Sequence, residues 1–269
     1  MNTPSASSSP TSPSFSLDGK VVIQFGGTGN LGGALVSALA SAGATLVVAS
    51  RDAQSVRDAV GRETQAGRAV SAAQADIRSE RSLHELRDSV LAAHGRVDGV
   101  VFNAVSRPMS APGDALDKWE ASMSVNATGF FATARVFGEV MAANGGGSMV
   151  AIASMQGMVG PNFWLYEGTS MTSAPDYFFH KAGMINLARY LAALYGSRGV
   201  RVNSVSPGGI LNPAKPPPGA FLERYAKMTM LGRMAQAREI CGAVVFLLGD
   251  AAAYITAANL PVDGGYTAK

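Results

Sequence analysis

The chain has 269 residues, of which 47% are hydrophobic and 15% charged, with a formal net charge of +3 at pH 7. That composition supports a large buried core and excludes wholesale disorder, and so small and dispersed a positive balance gives no basis for nucleic-acid binding. A single cysteine, Cys241, rules out an internal disulfide and a CxxC metal or redox motif, and His84, His94 and His180 lack metal-ligand spacing, so no metal site is expected.

In chain order, residues 1–16 (MNTPSASSSPTSPSFS) are Ser-, Thr- and Pro-rich with no charge and no apolar centre, which predicts a flexible tail rather than a signal peptide. Residues 17–269 show no composition break and are expected to form one domain. KVVIQF (20–25) reads as a strand, followed by a glycine-rich turn and the helical pattern LGGALVSALASAG. Further strand-like runs follow at 45–50 (TLVVAS), 69–76 (AVSAAQAD, weaker), 97–104 (VDGVVFNA), 147–154 (GSMVAIAS), 200–207 (VRVNSVSP) and 259–265 (NLPVDGG). Runs that are nearly continuously apolar suit strands buried on both faces. Their alternation with helical patterns predicts an α/β fold of the Rossmann type: a doubly wound parallel sheet of about seven strands with helices on both faces. No apolar run is long enough to cross a bilayer, which predicts a soluble, cytoplasmic protein without membrane partners.

The turn FGGTGNLGG (25–33) lies where a doubly wound sheet binds a dinucleotide pyrophosphate: glycines let the backbone approach the phosphates, and the following helix aims its amides at them. Gly26, Thr28, Gly29, Asn30 and Leu31 are the expected contacts. An acid at the end of the second strand would bond the adenosine ribose hydroxyls; Ser50 stands there instead and Arg51 follows, which favours a 2′-phosphate and hence NADP(H) over NAD(H). Asp52 is a candidate to neutralise Arg51.

In YEGTSMTSAPDYFFHK (166–181), Tyr177 and Lys181 are four apart and share a helix face, whereas Tyr166 has Ser170 at that spacing. An ammonium beside a tyrosine favours the phenolate, the form that accepts a proton.

Together, the glycine turn, AD at 75–76, NA at 103–104, VNATG at 125–129, IAS at 152–154, the Tyr177–Lys181 pair, SPGG at 206–209 and VDGG at 262–265 make the chain resemble the short-chain dehydrogenase/reductase family, in its compact single-domain branch, across essentially all of 17–269. The resemblance implies an NAD(P)-dependent oxidoreductase interconverting a secondary alcohol and a ketone. By position, Tyr177 would be the general acid/base, Lys181 would support it and bond the nicotinamide ribose, Ser154 would bond the reacting oxygen, and Asn126 would hold a water linking Lys181 to solvent. Asp76 and Ile77 would lie at the adenine, Asn103 and Ala104 along the adenosine ribose, and Pro207, Gly208 and Ile210 beside the nicotinamide. The resemblance also implies a homodimer or homotetramer. Phe25, Asn30 and Val105 depart from the family pattern. Structural alternatives exist as well: Asn126 and Asp76 are both favoured helix N-caps.

Tyr177 lies 23 residues beyond Ser154, where the family has about a dozen, so the chain carries an insertion of about ten residues beside the site. Its Trp164, Tyr166 and Glu167, and Phe221 from the segment 212–228, are the expected substrate contacts, with Trp164 and Phe221 meeting across the ligand. Flat aromatics among hydroxyl and carboxylate groups suit a sugar, sugar acid or polyol. The competing readings are a 3-oxoacyl thioester reductase and a dinucleotide-binding scaffold without turnover.

Overall fold

The computed structural model describes residues 14–269; residues 1–13 of the expected tail lie outside the described residues. Seven parallel strands form one sheet: β1 Val21–Phe25, β2 Thr45–Ser50, β3 Val70–Gln74, β4 Gly99–Phe102, β5 Gly147–Ile152, β6 Val200–Pro207 and β7 Asn259–Val262. Their order is β3-β2-β1-β4-β5-β6-β7, so the chain reverses its direction of travel between β1 and β4 and opens a crevice there. The helices are α1 Gly29–Ser41, α2 Arg57–Gln65, α3 Glu80–His94, α4 Leu116–Met123, α5 Gly129–Ala143, α6 Pro175–Tyr195, α7 Gly219–Met228 and α8 Ala237–Leu248.

The pleat of each central strand divides the apolar residues between two cores. Ile23, Phe25, Val100, Phe102, Met149 and Ala151 point to one face, against Leu83, Phe137 and Leu191 of α3, α5 and α6. Val22, Val101, Val150 and Ile152 point to the other, against Leu35 and Leu39 of α1 and Val244 and Leu247 of α8; Cys241 is buried in the same cluster. Each fully buried leucine or phenylalanine here contributes about 1.5–3 kcal/mol relative to exposure. The edge strand β3 is largely exposed, which explains its weak apolar signal. At the N-terminal end, the Ser14 carbonyl accepts from Ala251 N and Phe15 stacks on Phe246 with ring centroids 6.0 Å apart.

A third cluster, Met155, Leu165, Phe221, Tyr225 and Tyr266, covers the C-terminal ends of the strands. There the insertion meets α7: Arg224 Nη1 donates to the carbonyls of Trp164 (3.0 Å) and Glu167 (2.5 Å).

The crevice depends on a close backbone approach at Gly26, whose φ is +85° and whose added Cβ would lie 2.6 Å from Ala104 N. Gly33, inside α1, has open space at its Cβ position. In urea unfolding without ligand, Gly26→Ala should lose about 1–3 kcal/mol or more through strain and overlap, whereas Gly33→Ala should gain about 0.5–1 kcal/mol from helix propensity.

Candidate active site

At the end of β1 the glycine turn lies against the backbone after β4, and Asn103 Nδ2 donates to Gly26 O at 2.7 Å. Gln24, fully buried, donates to Gly32 O at 2.9 Å and fixes the turn from below. The start of α1 is bare: Thr28 makes no side-chain cap and the first turn holds no acid, so its amides are free for an anion. The departures from the family pattern have local reasons. Phe25 is a core residue, its ring 5.7 Å from that of Phe137. Asn30 donates from Nδ2 to Leu211 O at 2.9 Å and ties the turn to the segment after β6, while Gly29, with φ +79°, supplies the left-handed step.

At the far end of the crevice, Ser50 Oγ lies 3.1 Å from Ser55 Oγ and the Arg51 side chain is exposed. Asp52 does not neutralise Arg51; its carboxylate caps the next turn through Gln54 N. Asp76 is not a helix cap, because Ser79 caps α3. Its carboxylate instead accepts from Arg78 Nε and Nη2, and that hydrogen-bonded guanidinium holds it below its ordinary range.

Further along, β5 ends at Ile152, and Ser154 caps the short turn Met155–Gly157, its Oγ accepting from Gln156 N at 3.2 Å. Helix α6 starts with Pro175 and carries Tyr177 and Lys181 on one face. Lys181 is 4% exposed, and its Nζ donates to Ile152 O at 2.5 Å and sits 5.6 Å from the Tyr177 ring centroid. Burial first, and the charge of Arg107 second, lower its pKa from 10.5 to about 7.

Arg107, which the sequence reading missed, is the group that touches the tyrosine hydroxyl: Nη2 donates to Tyr177 Oη at 3.0 Å and Cζ lies 4.3 Å from the ring centroid. The one available signal was its position in the loop beyond the fourth strand, at the crevice.

Every expected cofactor contact, together with Ser154, Tyr177, Tyr166 and Phe221, lines one continuous cleft of about 860 Å³. Its glycine cradle, bare helix start and exposed Arg51 fit a dinucleotide. Three expected site residues do not line it. Asn126 sits 1% exposed in a π-helical turn, Ser124–Thr128, not at a helix start. Its Oδ1 accepts from Ser106 N, and its Nδ2 donates to Ser106 O and Ser122 Oγ, so the side chain holds the loop that carries Arg107. Glu167 and Trp164 face outward, Trp164 beneath the Arg224 guanidinium. The expected Trp164–Phe221 pairing is replaced by Tyr166 against Phe221, with centroids 5.6 Å apart, because Arg224 draws the loop backbone towards α7 and turns Trp164 out.

Residues 27–267 match a protein-family model described as enoyl-(acyl carrier protein) reductase. The chain is 33% identical over 261 residues to a D-threitol dehydrogenase of Mycolicibacterium smegmatis, covering 95% of each chain. It is 32% identical over 268 residues to a galactitol 2-dehydrogenase (L-tagatose-forming) of Cereibacter sphaeroides, covering 94% of this chain and 97% of that one. A gluconate 5-dehydrogenase from Burkholderia cenocepacia, solved in complex with NADP and tartrate, superposes with a TM-score of 0.85 at 28% identity, over 95% of this chain and 98% of that one. Sheet order, cleft and near-full-length similarity agree: the chain belongs to the short-chain dehydrogenase/reductase family, as an NAD(P)-dependent oxidoreductase that interconverts alcohols and ketones.

Proposed function

We propose that the protein oxidises a secondary hydroxyl of a small polyol or sugar alcohol, or reduces the corresponding ketone, with NADP(H) as the preferred cofactor. The observation that carries this reading is the opening of Ser154, Tyr177 and Lys181 onto the same cleft as the glycine cradle. Relatives named for threitol and galactitol support the substrate class. Arg51 at the end of β2, with no acid in the ribose position, supports the 2′-phosphate, as does a structural neighbour that holds NADP.

In the oxidative direction Tyr177 Oη takes the proton from the substrate hydroxyl while Ser154 Oγ bonds the same oxygen and fixes its place. The nicotinamide, when bound, supplies the acceptor for the hydride of the carbinol carbon. The Arg107 guanidinium, in contact with Tyr177 Oη, stabilises negative charge on that oxygen, and Lys181 adds to this in its protonated form. Asn126 acts through the 104–109 loop. The exposed Phe131, Phe179, Tyr190 and Leu194 on α5 and α6 support assembly into a homodimer or homotetramer, and the absence of a spanning helix among the described residues supports a cytoplasmic location.

The test is steady-state oxidation of a polyol panel with NADP⁺ and NAD⁺. Tyr177→Phe should lower kcat by about 10²- to 10⁴-fold while NADPH titration stays close to wild type; unchanged turnover would overturn the mechanism. Arg51→Ala should weaken NADPH binding by about 10- to 100-fold, the loss of one charge-assisted contact, and weaken NADH binding much less. Lys181 makes a further prediction through pH. Its folded pKa of about 7 lies below the ordinary 10.5, so between those values the unfolded chain holds a proton that the folded protein has released. Stability contributed by this residue therefore rises with pH across that window. The stability difference between wild type and Lys181→Met, followed by urea unfolding from pH 7 to 10, should shift in favour of wild type as pH increases.

A further inference from the structure

Several polar groups of the cleft beside Ser154 and Tyr177 are already spent or shut away. Tyr225 Oη is taken by Gly209 N, and the Asp176 carboxylate and Ser173 Oγ are sealed from solvent. Gln156 and Tyr266 differ from these. Both line the cleft, and neither Gln156 Oε1 nor Tyr266 Oη has a hydrogen-bond partner among the described residues. Unlike the Asp176 oxygens, each of these atoms remains accessible, although the Tyr266 side chain is 9% exposed overall.

Their surroundings hold both groups in place. Gln156 Nε2 donates to Tyr166 Oη at 3.2 Å, which orients the amide and leaves its carbonyl free, and Gln156 N donates to Ser154 Oγ at 3.2 Å. That carbonyl is therefore carried two residues beyond the serine proposed to bond the reacting oxygen. Tyr266 is stacked on Tyr225 at 5.5 Å, Tyr225 on Phe221 at 5.9 Å, and Phe221 meets Tyr166 at 5.6 Å, so one aromatic row joins the two polar groups. Burial first, and the Tyr166 phenol second, raise the pKa of Tyr266, which keeps it an O–H group. The cleft thus offers one amide acceptor and one phenol, both neutral. A carboxylate or phosphate calls for cationic donors instead. A ligand hydroxyl both donates and accepts, so it suits either atom, whereas a methylene would leave each desolvated and unpaired. A site built on such groups rejects the analogue that lacks the hydroxyl.

We propose that Gln156 and Tyr266 form a hydroxyl-binding subsite that selects polyols over simple secondary alcohols by hydrogen bonding to hydroxyls on carbons other than the reacting one, with Tyr166 holding the Gln156 amide in position. This rests on the polyol reading above and names residues that enforce it. The test compares kcat/KM for D-threitol and galactitol with that for 2-butanol, which has the four carbons of threitol and a single hydroxyl. It uses the full-length wild type, Gln156→Met, Tyr266→Phe and the double variant. Calorimetry follows binding of the same polyols to the NADPH complex, in which an alcohol has no hydride acceptor. The ratio of polyol to 2-butanol kcat/KM should fall by about 3- to 10-fold in each single variant, the worth of one neutral hydrogen bond, and by about 10- to 100-fold in the double variant. The loss should appear mainly in the polyol KM, and polyol binding should weaken in parallel. The ratio is internal to each variant, so a general loss of active enzyme cancels.

A wild type that prefers polyols, with variants that keep both the preference and the polyol affinity, would overturn the subsite and leave the polyol reading standing. Equal losses for polyols and 2-butanol would also overturn the subsite and make the two residues supports of the cleft wall. A wild type that neither turns over nor binds either polyol would overturn the substrate reading and the subsite with it. Polyol binding that weakens in both single variants supports the subsite even without measurable turnover.

Discussion

The attachment of α6 to the end of β5 governs the whole site. Lys181 Nζ donates to the carbonyl of Ile152, the last residue of β5, and Gly157 lies so close to the α6 backbone that an added Cβ would meet Lys181 C at 2.6 Å. Ser154 is two residues beyond that carbonyl, and Tyr177 is one helical turn before that ammonium. One hydrogen bond and one backbone contact therefore set the separation of the two groups proposed to meet the same substrate oxygen. A misplacement of about 1 Å in such a pair is enough to cost about 10²-fold in rate, which is why a buried amine is retained where the core would otherwise favour an apolar residue.

The same burial divides the electrostatic work. Desolvation brings Lys181 close to neutrality at physiological pH, so it is a poor fixed charge. Arg107, from the opposite wall, contacts the tyrosine oxygen directly. His180 meets the Tyr177 ring edge-on, but burial, then Lys181, then Arg107 push its pKa down to about 3. It is therefore neutral across the working range and contributes packing rather than charge. The direct contact to the Tyr177 oxygen is thus the guanidinium's, while Lys181 is tied to the Ile152 carbonyl.

The strands were legible because the sheet interior leaves little freedom: the runs at 45–50 and 200–207 coincide with β2 and β6 end to end. The run at 97–104 extends beyond β4, because Asn103 and Ala104 are apolar-flanked yet belong to the crevice floor. That the residues expected at the cofactor all line one cleft has a related reason, since backbone geometry at glycines and strand ends leaves a local signature. Loop facing had no such signature. Trp164, Glu167 and Tyr166 lie in a segment without periodicity, and the Arg224 bonds that turn the first two outward join residues about 60 positions apart. Asn126 was legible as a site-proximal residue but not as a brace, because its partner Ser106 sits 20 residues away.

The cleft is two-faced beside the reacting position. Met155, Leu165, Phe221 and Tyr225 form an apolar roof, held rigid because the insertion is bonded to α7 through Arg224 and because Tyr225 Oη accepts from Gly209 N. Opposite Tyr177, Arg107 presents its guanidinium, which donates to the tyrosine hydroxyl. An open-chain polyol likewise presents carbon-bound hydrogens on some faces and hydroxyls on others, and aromatic or thioether surfaces take the former while charged groups take the latter. The polyol proposed as substrate is a ligand that meets both surfaces at once, its carbon-bound hydrogens on the apolar roof and its hydroxyls at Ser154, Tyr177 and Arg107.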